Sequence, residues 1–229
     1  MQINFLKRLI TSFFLLSILL IIYFSNELVF VLSILIVSLI ICIETNNIFL
    51  KLKINKKSKK KVNTKKINFI FFSLNLIAFL YIFFVFCNLS FAIYKFESPT
   101  YFLYIICICF FTDIGGYIVG KTLGGPKLTK ISPNKTISGT LGSFIFSIIP
   151  LFIFFYLGYL DIKININNII FCLLVSLVSQ LGDLFISYLK RKADIKDTGK
   201  MLPGHGGILD RVDGIIFAVP FSYFLLKLF

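Results

Sequence analysis

NNIIFCLLVSLVSQLGDLFISYLKR, Asn167 to Arg191, is an apolar run of bilayer-crossing length with a line of polar groups threaded through it. About 20 consecutive, predominantly apolar residues are what a spanning helix needs. The polar residues Ser176, Ser179, Gln180, Asp183 and Ser187 follow one another at spacings of 3, 1, 3 and 4. That is one face of a helix, not the alternation of a strand. The face continues into Lys190 and Arg191. A stripe of hydroxyl, amide and carboxylate groups cannot face lipid, so it must line a protein interior or a wet cavity. Serines alone would be ordinary, because Ser packs well between spans. Asp183 is the informative residue: a lone carboxylate in an apolar helix calls for a cation or metal partner.

The rest of the chain has the same character. Hydrophobic residues make up 58% of its 229 positions and the mean hydropathy is +0.93, against roughly 45–50% apolar content in a soluble domain. The apolar residues fall in uninterrupted blocks. The first follows Lys7 and Arg8 as a signal peptide would, but a second block starts directly after Ser25-Asn26-Glu27 and no small-residue cleavage site separates them. A retained first helix is therefore expected. The fold expected is all-α and polytopic, with seven spans near 5–24, 28–44, 67–88, 99–120, 139–158, 167–189 and 212–228. Ser90 to Pro99 is where a further short or re-entrant element would change that count. With the N-terminus inside, 21 of the 24 Lys and Arg fall on the cytoplasmic side, leaving Lys95 and Lys163 outside and Lys227 in the last span. This is the positive-inside bias, and it predicts N-in, C-out. The organisation expected is an N-terminal membrane region, 1–98, with a basic cytoplasmic loop at 51–66, and a C-terminal catalytic region, 99–229.

That loop, KLKINKKSKKKVNTKK, contributes much of the net charge of +14. No aromatic or folded reader accompanies it, so nucleic acid is not the expected partner. A loop that fixes topology and adheres to anionic lipid headgroups explains it. The five Cys have no zinc-site spacing and are read as reduced core residues.

Two further polar clusters flank apolar segments. In TDIGGYIVGKTLGGPKLTKISPNKTISG, Thr112 to Gly139, helical spacing puts Asp113, Gly116, Tyr117, Gly120 and Lys121 on one face. Gly124-Gly125-Pro126 ends that helix, and Lys127, Lys130 and Lys135 then stand among Thr and Ser residues. Lysines interleaved with hydroxyls and glycines suit phosphate oxygens, although no Walker P-loop is present. In SYLKRKADIKDTGKMLPGHGGILDRVD, Ser187 to Asp213, five acidic or potentially metal-binding side chains, six cationic ones and four glycines lie between two apolar segments. Asp197, Asp210 and Asp213 offer the hard oxygens that Mg²⁺ takes alongside substrate phosphates. Gly204, Gly206 and Gly207 around His205, the one His of the chain, leave backbone open to a ligand. Arg211 suits either a salt bridge or a phosphate clamp. Lys192, Asp194 and Lys200 read as solvated charges.

The run S-x-L-K-R-x₄-K-D-x-G-x₂-L-P-x-H-G-G-I-x-D-R-V-D, Ser187 to Asp213, resembles the C-terminal hallmark of the phosphatidate cytidylyltransferases. S-Q-x-G-D, Ser179 to Asp183, and D-x-x-G-Y-x-x-G-K with its S-P-x-K-T turn, Asp113 to Thr136, are similar too. The family's turn usually reads SPKKT followed by x-E-G, where Asn134 and Ser138 stand here. The resemblance is dense from about residue 112 and only topological before it. It implies cytidylyl transfer from CTP to phosphatidic acid, giving CDP-diacylglycerol and diphosphate. It also implies Mg²⁺ on Asp183 and Asp210, which could bind a paired-metal centre, with Asp213 and Asp197 in support. Asp113, Lys121, Lys127, Lys135, Ser187, Lys190, Arg191, Gly206, Gly207 and Arg211 become candidate phosphate or substrate contacts, and Asp183, Asp210, Asp197, Lys196 and His205 the candidate catalytic residues. The implied setting is the bacterial inner membrane, the site facing the cytoplasm, with membrane lipids around it and a homodimer as the assembly. A CTP-dependent polyprenol or phytol kinase is the nearest alternative. An ion-coupled transporter using Asp113 and Asp183 would want them at the bilayer midplane, whereas they fall near the cytoplasmic ends of their spans. A CDP-alcohol phosphatidyltransferase lacks its DGxxAR…GxxxDxxxD run here.

Overall fold

The computed structural model describes residues 11, 17–59, 64–129, 131–158, 162–199, 201–202 and 206–228. Among these there is no β-strand, and only two isolated β-bridges interrupt an all-helical chain. Five helical stretches among the described residues are long and apolar enough to cross a membrane: Glu27–Asn55, Ile67–Glu97, Pro99–Leu123, Ile137–Leu157 and Ile166–Lys192. They coincide with five of the seven expected spans, and the protein is a multi-pass membrane protein. Most of the first expected span lies outside the described residues, residues 17–24 being helical. The last, Ile215–Leu228, has 14 residues, or about 21 Å at ~1.5 Å per residue, short of a hydrocarbon core of ~30 Å.

The chain divides into two compact units, residues 1–88 with 189–212 and residues 89–188 with 213–229. In the first unit, helix α1, Glu27–Lys59, runs through most of the segment expected to be a basic loop. Lys is a good helix former, and nothing between Lys51 and Lys59 breaks a helix. Helix α2, Thr64–Leu80, packs against α1 and continues as a π-helical stretch, Tyr81–Cys87. Phe49, Ile67 and Phe71 form a core against which Leu52, Ala78 and Leu189 pack. Leu189 thereby ties the start of the C-terminal hallmark to the N-terminal helices. The short helix α8, Leu209–Val212, carries its end.

The second unit begins with α3, Asn88–Ala92, and the π-helical Ile93–Glu97. The segment suspected of hiding a re-entrant element is thus helical as far as Glu97. Ser98 caps α4, Pro99–Leu123, by accepting from the Tyr101 N–H at 3.2 Å. Helices α5, Ile137–Ser147, α6, Ile149–Leu157, and α9, Ile215–Leu228, complete it together with α7, Ile166–Lys192, as far as Tyr188. Its centre is Tyr104, whose ring lies 6.1 Å from that of Phe171 and 5.2 Å from that of Phe154. The Tyr104 hydroxyl shares a 3.0 Å hydrogen bond with Cys172. The tightest seam is α4 on α5. A Cβ on Gly116 would stand 2.6 Å from Ser143 Oγ, and one on Gly142 would stand 2.4 Å from Val119 Cβ. Small residues let these two helices approach backbone to backbone.

Candidate functional site

Beside the α4–α5 seam lies a cavity of about 330 Å³. Its walls come from Asp113, Gly116 and Tyr117 of α4, Ser132, Asn134, Lys135 and Thr136 of the turn, Gly139, Thr140 and Ser143 of α5, and Gln180 and Asp183 of α7. The turn is built to hold its shape. Gly124 and Gly125 take φ of 61° and 104°, conformations that glycine adopts without a Cβ penalty. Lys127 and Thr136 then pair as an antiparallel bridge, with the Leu128 N–H donating to Lys135 C=O at 2.8 Å. Thr136 ends the turn as the N-cap of α5, its Oγ1 accepting from the Gly139 N–H at 3.1 Å. Ser138, one of the two departures from the family pattern, donates to Gly124 C=O and so ties the turn to the end of α4. Asn134, the other, lines the cavity.

The polar stripe of α7 faces inward as its spacing predicts. Ser176 and Ser179 are buried. Ser176 Oγ accepts from Thr112 Oγ1 at 3.0 Å and from Gln180 Nε2 at 3.2 Å. The opposite face, Leu177, Leu181 and Phe185, is exposed. Asp183 receives Lys135 Nζ on Oδ2 and the Ser187 hydroxyl on Oδ1 at 3.2 Å. The pair is partly open, with Lys135 31% and Asp183 24% exposed. Lys121 and Lys127 are exposed and outside the cavity lining; Lys121 reaches the Tyr117 hydroxyl at 3.4 Å. Lys130 lies outside the described residues. Asp213 accepts from the Gly214 N–H at 2.9 Å, just beyond α8.

The first unit holds a second, denser cluster around Asp210. Its Oδ1 accepts from Lys190 Nζ at 2.7 Å. Its Oδ2 accepts from the Thr198 N–H at 2.8 Å, the Gly207 N–H at 2.9 Å and the Thr198 hydroxyl at 3.0 Å. Lys190 is 11% exposed and Asp210 6%. Burial alone would raise the Asp210 carboxyl, but the bonds from Lys190, Gly207 and Thr198 and the Lys190 charge outweigh it and hold the group below its ordinary value. Gly206 takes a φ of 86°, and a Cβ there would stand 2.7 Å from Asp210 Oδ2 and 3.1 Å from Asp197 Cβ. Asp197 and Lys196 are exposed, as are Arg191 and Arg211. Arg191 reaches Ile195 C=O at 3.5 Å. His205 lies outside the described residues.

Sequence reasoning missed Glu44 and Thr198. Both are buried, and they bond to each other at 2.6 Å. Glu44 satisfied the criterion that singled out Asp183, being a lone acid in an apolar helix, but it fell at the expected end of a span. Thr198 stood at a position that the hallmark leaves open.

Among the described residues no three His, Cys, Asp or Glu side chains gather around one point. Mg²⁺ does not require that, because it is held by one or two carboxylates plus substrate phosphates and water. Asp183 keeps one donor on each oxygen, and Asp113 lines the same cavity with Ser132, Ser143 and Thr140 hydroxyls. This all-oxygen set suits a hard divalent cation. Asp210 has one oxygen saturated by three donors and one shared only with Lys190.

The fold and site define a multi-pass helical protein with a polar cavity lined by carboxylates, a lysine and a glycine-flanked turn. The particular assignment comes from sequence comparison. The family model for the cytidylyltransferase family matches residues 47–229, and the chain belongs to that family. It is 47% identical over 131 residues to the phosphatidate cytidylyltransferase of Bacillus subtilis (strain 168), covering 57% of this chain and 48% of that one. It is 43% identical over 129 residues to that of Staphylococcus haemolyticus (strain JCSC1435), covering 55% and 48%. Against that of Rickettsia bellii (strain RML369-C) it is 44% identical over 129 residues, 54% of this chain and 56% of the relative. The chain therefore spans about half the length of the curated relatives it matches.

Proposed function

We propose that this chain transfers the cytidylyl group of CTP to phosphatidic acid. A phosphatidate oxygen attacks the α-phosphorus of CTP, the bond from the α-phosphorus to the bridging oxygen breaks, and diphosphate leaves with that oxygen. The nucleophile is already anionic, so little general-base help is needed. The task is to bring two anions together and to neutralise charge growing on the α-phosphate and the leaving group.

The observation that carries this reading is the cavity in which Asp113, Asp183 and Lys135 meet glycine-opened backbone and five hydroxyl side chains. Lys135, already poised on a carboxylate, would exchange it for a phosphate oxygen. Ser132, Asn134 and Thr136 supply neutral donors on the same turn. Mg²⁺ held by Asp183, and in its own surroundings Asp210, would supply the positive charge that several phosphate oxygens require. The relatives named phosphatidate cytidylyltransferase support the choice of CTP and phosphatidate. The basic segments and family kinship support a bacterial inner-membrane location, a cytoplasm-facing site and a homodimer. A reporter fused after Lys60 should read cytoplasmic and one at Asn165 should read the opposite side.

Purified protein given phosphatidate, CTP and Mg²⁺ should release diphosphate in step with CDP-diacylglycerol. Release of CDP with a phosphorylated lipid alcohol would make it a CTP-dependent lipid kinase. Failure with both kinds of acceptor would reject the reading.

A further inference from the structure

Glu44 is the buried acid to which the reading above gives no task. Its residue is 4% exposed, and its hydrogen bonds run to the C-terminal hallmark. Oε1 accepts from the Ile208 N–H at 3.1 Å. Oε2 accepts from the Leu209 N–H at 2.9 Å and from the Thr198 hydroxyl at 2.6 Å. That hydroxyl also stands 3.0 Å from Asp210 Oδ2. Thr198 has one hydroxyl hydrogen to share between the two carboxylates, so the placement of one is coupled to the other. Two glycines of the hallmark make room for this contact. A Cβ on Gly199 would lie 2.6 Å from Glu44 Oε1. One on Gly207 would lie 2.3 and 2.5 Å from the two Glu44 oxygens and 2.2 Å from Thr198 Oγ1.

We propose that Glu44 is a positioning residue for Asp210. It grips the amides of Ile208 and Leu209 and the hydroxyl of Thr198, and so sets the loop whose Gly207 and Thr198 N–H groups hold the Asp210 carboxylate. A polar residue in an N-terminal helix thus governs the aim of a group 166 positions later in the chain. What is being positioned rests on the function proposed above; the grip itself does not. Glutamine cannot replace Glu44 here. Whichever end of its amide carries the nitrogen, that nitrogen meets a backbone N–H, from Ile208 on one side or Leu209 on the other.

The test uses the full chain in detergent or bilayer, with Glu44→Gln, Thr198→Val and their combination. Glu44→Gln should lower kcat by about tenfold or more with KM for CTP within about threefold, the mark of lost transition-state placement and not of lost binding. The double variant should lose no more than about the worse single one, because both act through one loop. Glu44→Asp should recover part of the loss. Independently of activity, hydrogen exchange at the amides of Gly207, Ile208 and Leu209 should quicken in Glu44→Gln, while those of Ile67 and Phe71 keep their wild-type rates. Unchanged exchange at 207–209, unchanged kcat, or losses that add in the double variant would each overturn the proposal. If Glu44→Gln fails to fold, Thr198→Val carries the same kinetic and exchange readouts. If the wild type does not turn over CTP with phosphatidate, the proposed function falls, and the exchange rates alone decide whether Glu44 grips the loop.

Discussion

Each compact unit of this protein pairs an aspartate with a lysine, and the two pairs live in opposite surroundings. Lys135 and Asp183 are 31% and 24% exposed on the wall of a cavity, and Asp183 has one further donor, Ser187. Lys190 and Asp210 are 11% and 6% exposed, and Asp210 is held by two backbone N–H groups and a hydroxyl besides the lysine. An open pair can trade partners when a polyanion arrives, because water and ligand compete with it on similar terms. A buried, over-determined pair keeps its geometry and gives the loop around it a single shape. The first is therefore suited to binding and the second to orientation, although the sequence writes both as a Lys and an Asp.

The largest expected effect is shared by the two carboxylates. Asp183→Asn and Asp210→Asn should each cut turnover by roughly 10³-fold or more, on the order of 4 kcal/mol of transition-state stabilisation, with the protein still folded in the membrane. Losses below tenfold in both would remove the assignment of catalysis to these groups.

The lysines should then part company. Lys190→Met leaves Asp210 buried without its counter-charge and should cost about 3 kcal/mol of stability. Lys135→Met breaks a solvent-reachable pair and should cost less than about 1 kcal/mol. Thermal unfolding in one detergent measures both, and equal shifts would erase the contrast between the pairs.

In substrate use Lys135 should outweigh Lys121, which stands in the last turn of α4. Lys135→Ala should raise KM for CTP by about tenfold, the loss of one charge-assisted phosphate contact. Lys121→Ala, outside the cavity wall, should change it by less than about threefold. Steady-state kinetics with varied CTP compares them directly. The smallest effect belongs to the N-terminal basic segment. Neutralising Lys56, Lys57, Lys59 and Lys60 together should leave KM for CTP within about threefold, because a basic segment that sets topology attracts anions only at long range and is screened by salt.

The open site was the more legible of the two. Its residues lie on helical faces or in one turn, so a spacing of three and four brings Asp113, Gly116 and Tyr117, or Gln180 and Asp183, to one side. Lys135 belonged to a motif with an evident phosphate chemistry. Spacing also leaves something out: Lys121 and Lys127 belong to the same run as Lys135 but are exposed and outside the cavity lining. The closed site was half legible. Asp210 and the glycines stood out as local pattern. Glu44 did not, because its partners lie 154 to 165 positions away along the chain, and a separation of that size has no signature in periodicity. The helical spans themselves were clear from apolar length. The basic segment was not, because Lys supports a solvated helix as readily as a loop and α1 extends through it to Lys59.

The central claim is that the bond made is to the α-phosphorus of CTP. CTP labelled at the α-phosphorus and CTP labelled at the γ-phosphorus, each incubated with the purified chain, phosphatidate and Mg²⁺, test it directly. Label should enter the lipid product only from the α-position, and the γ-label should leave as diphosphate. Entry of the γ-label into lipid, with the α-label remaining on CDP, would contradict the account and assign the cavity to a phosphoryl transfer instead.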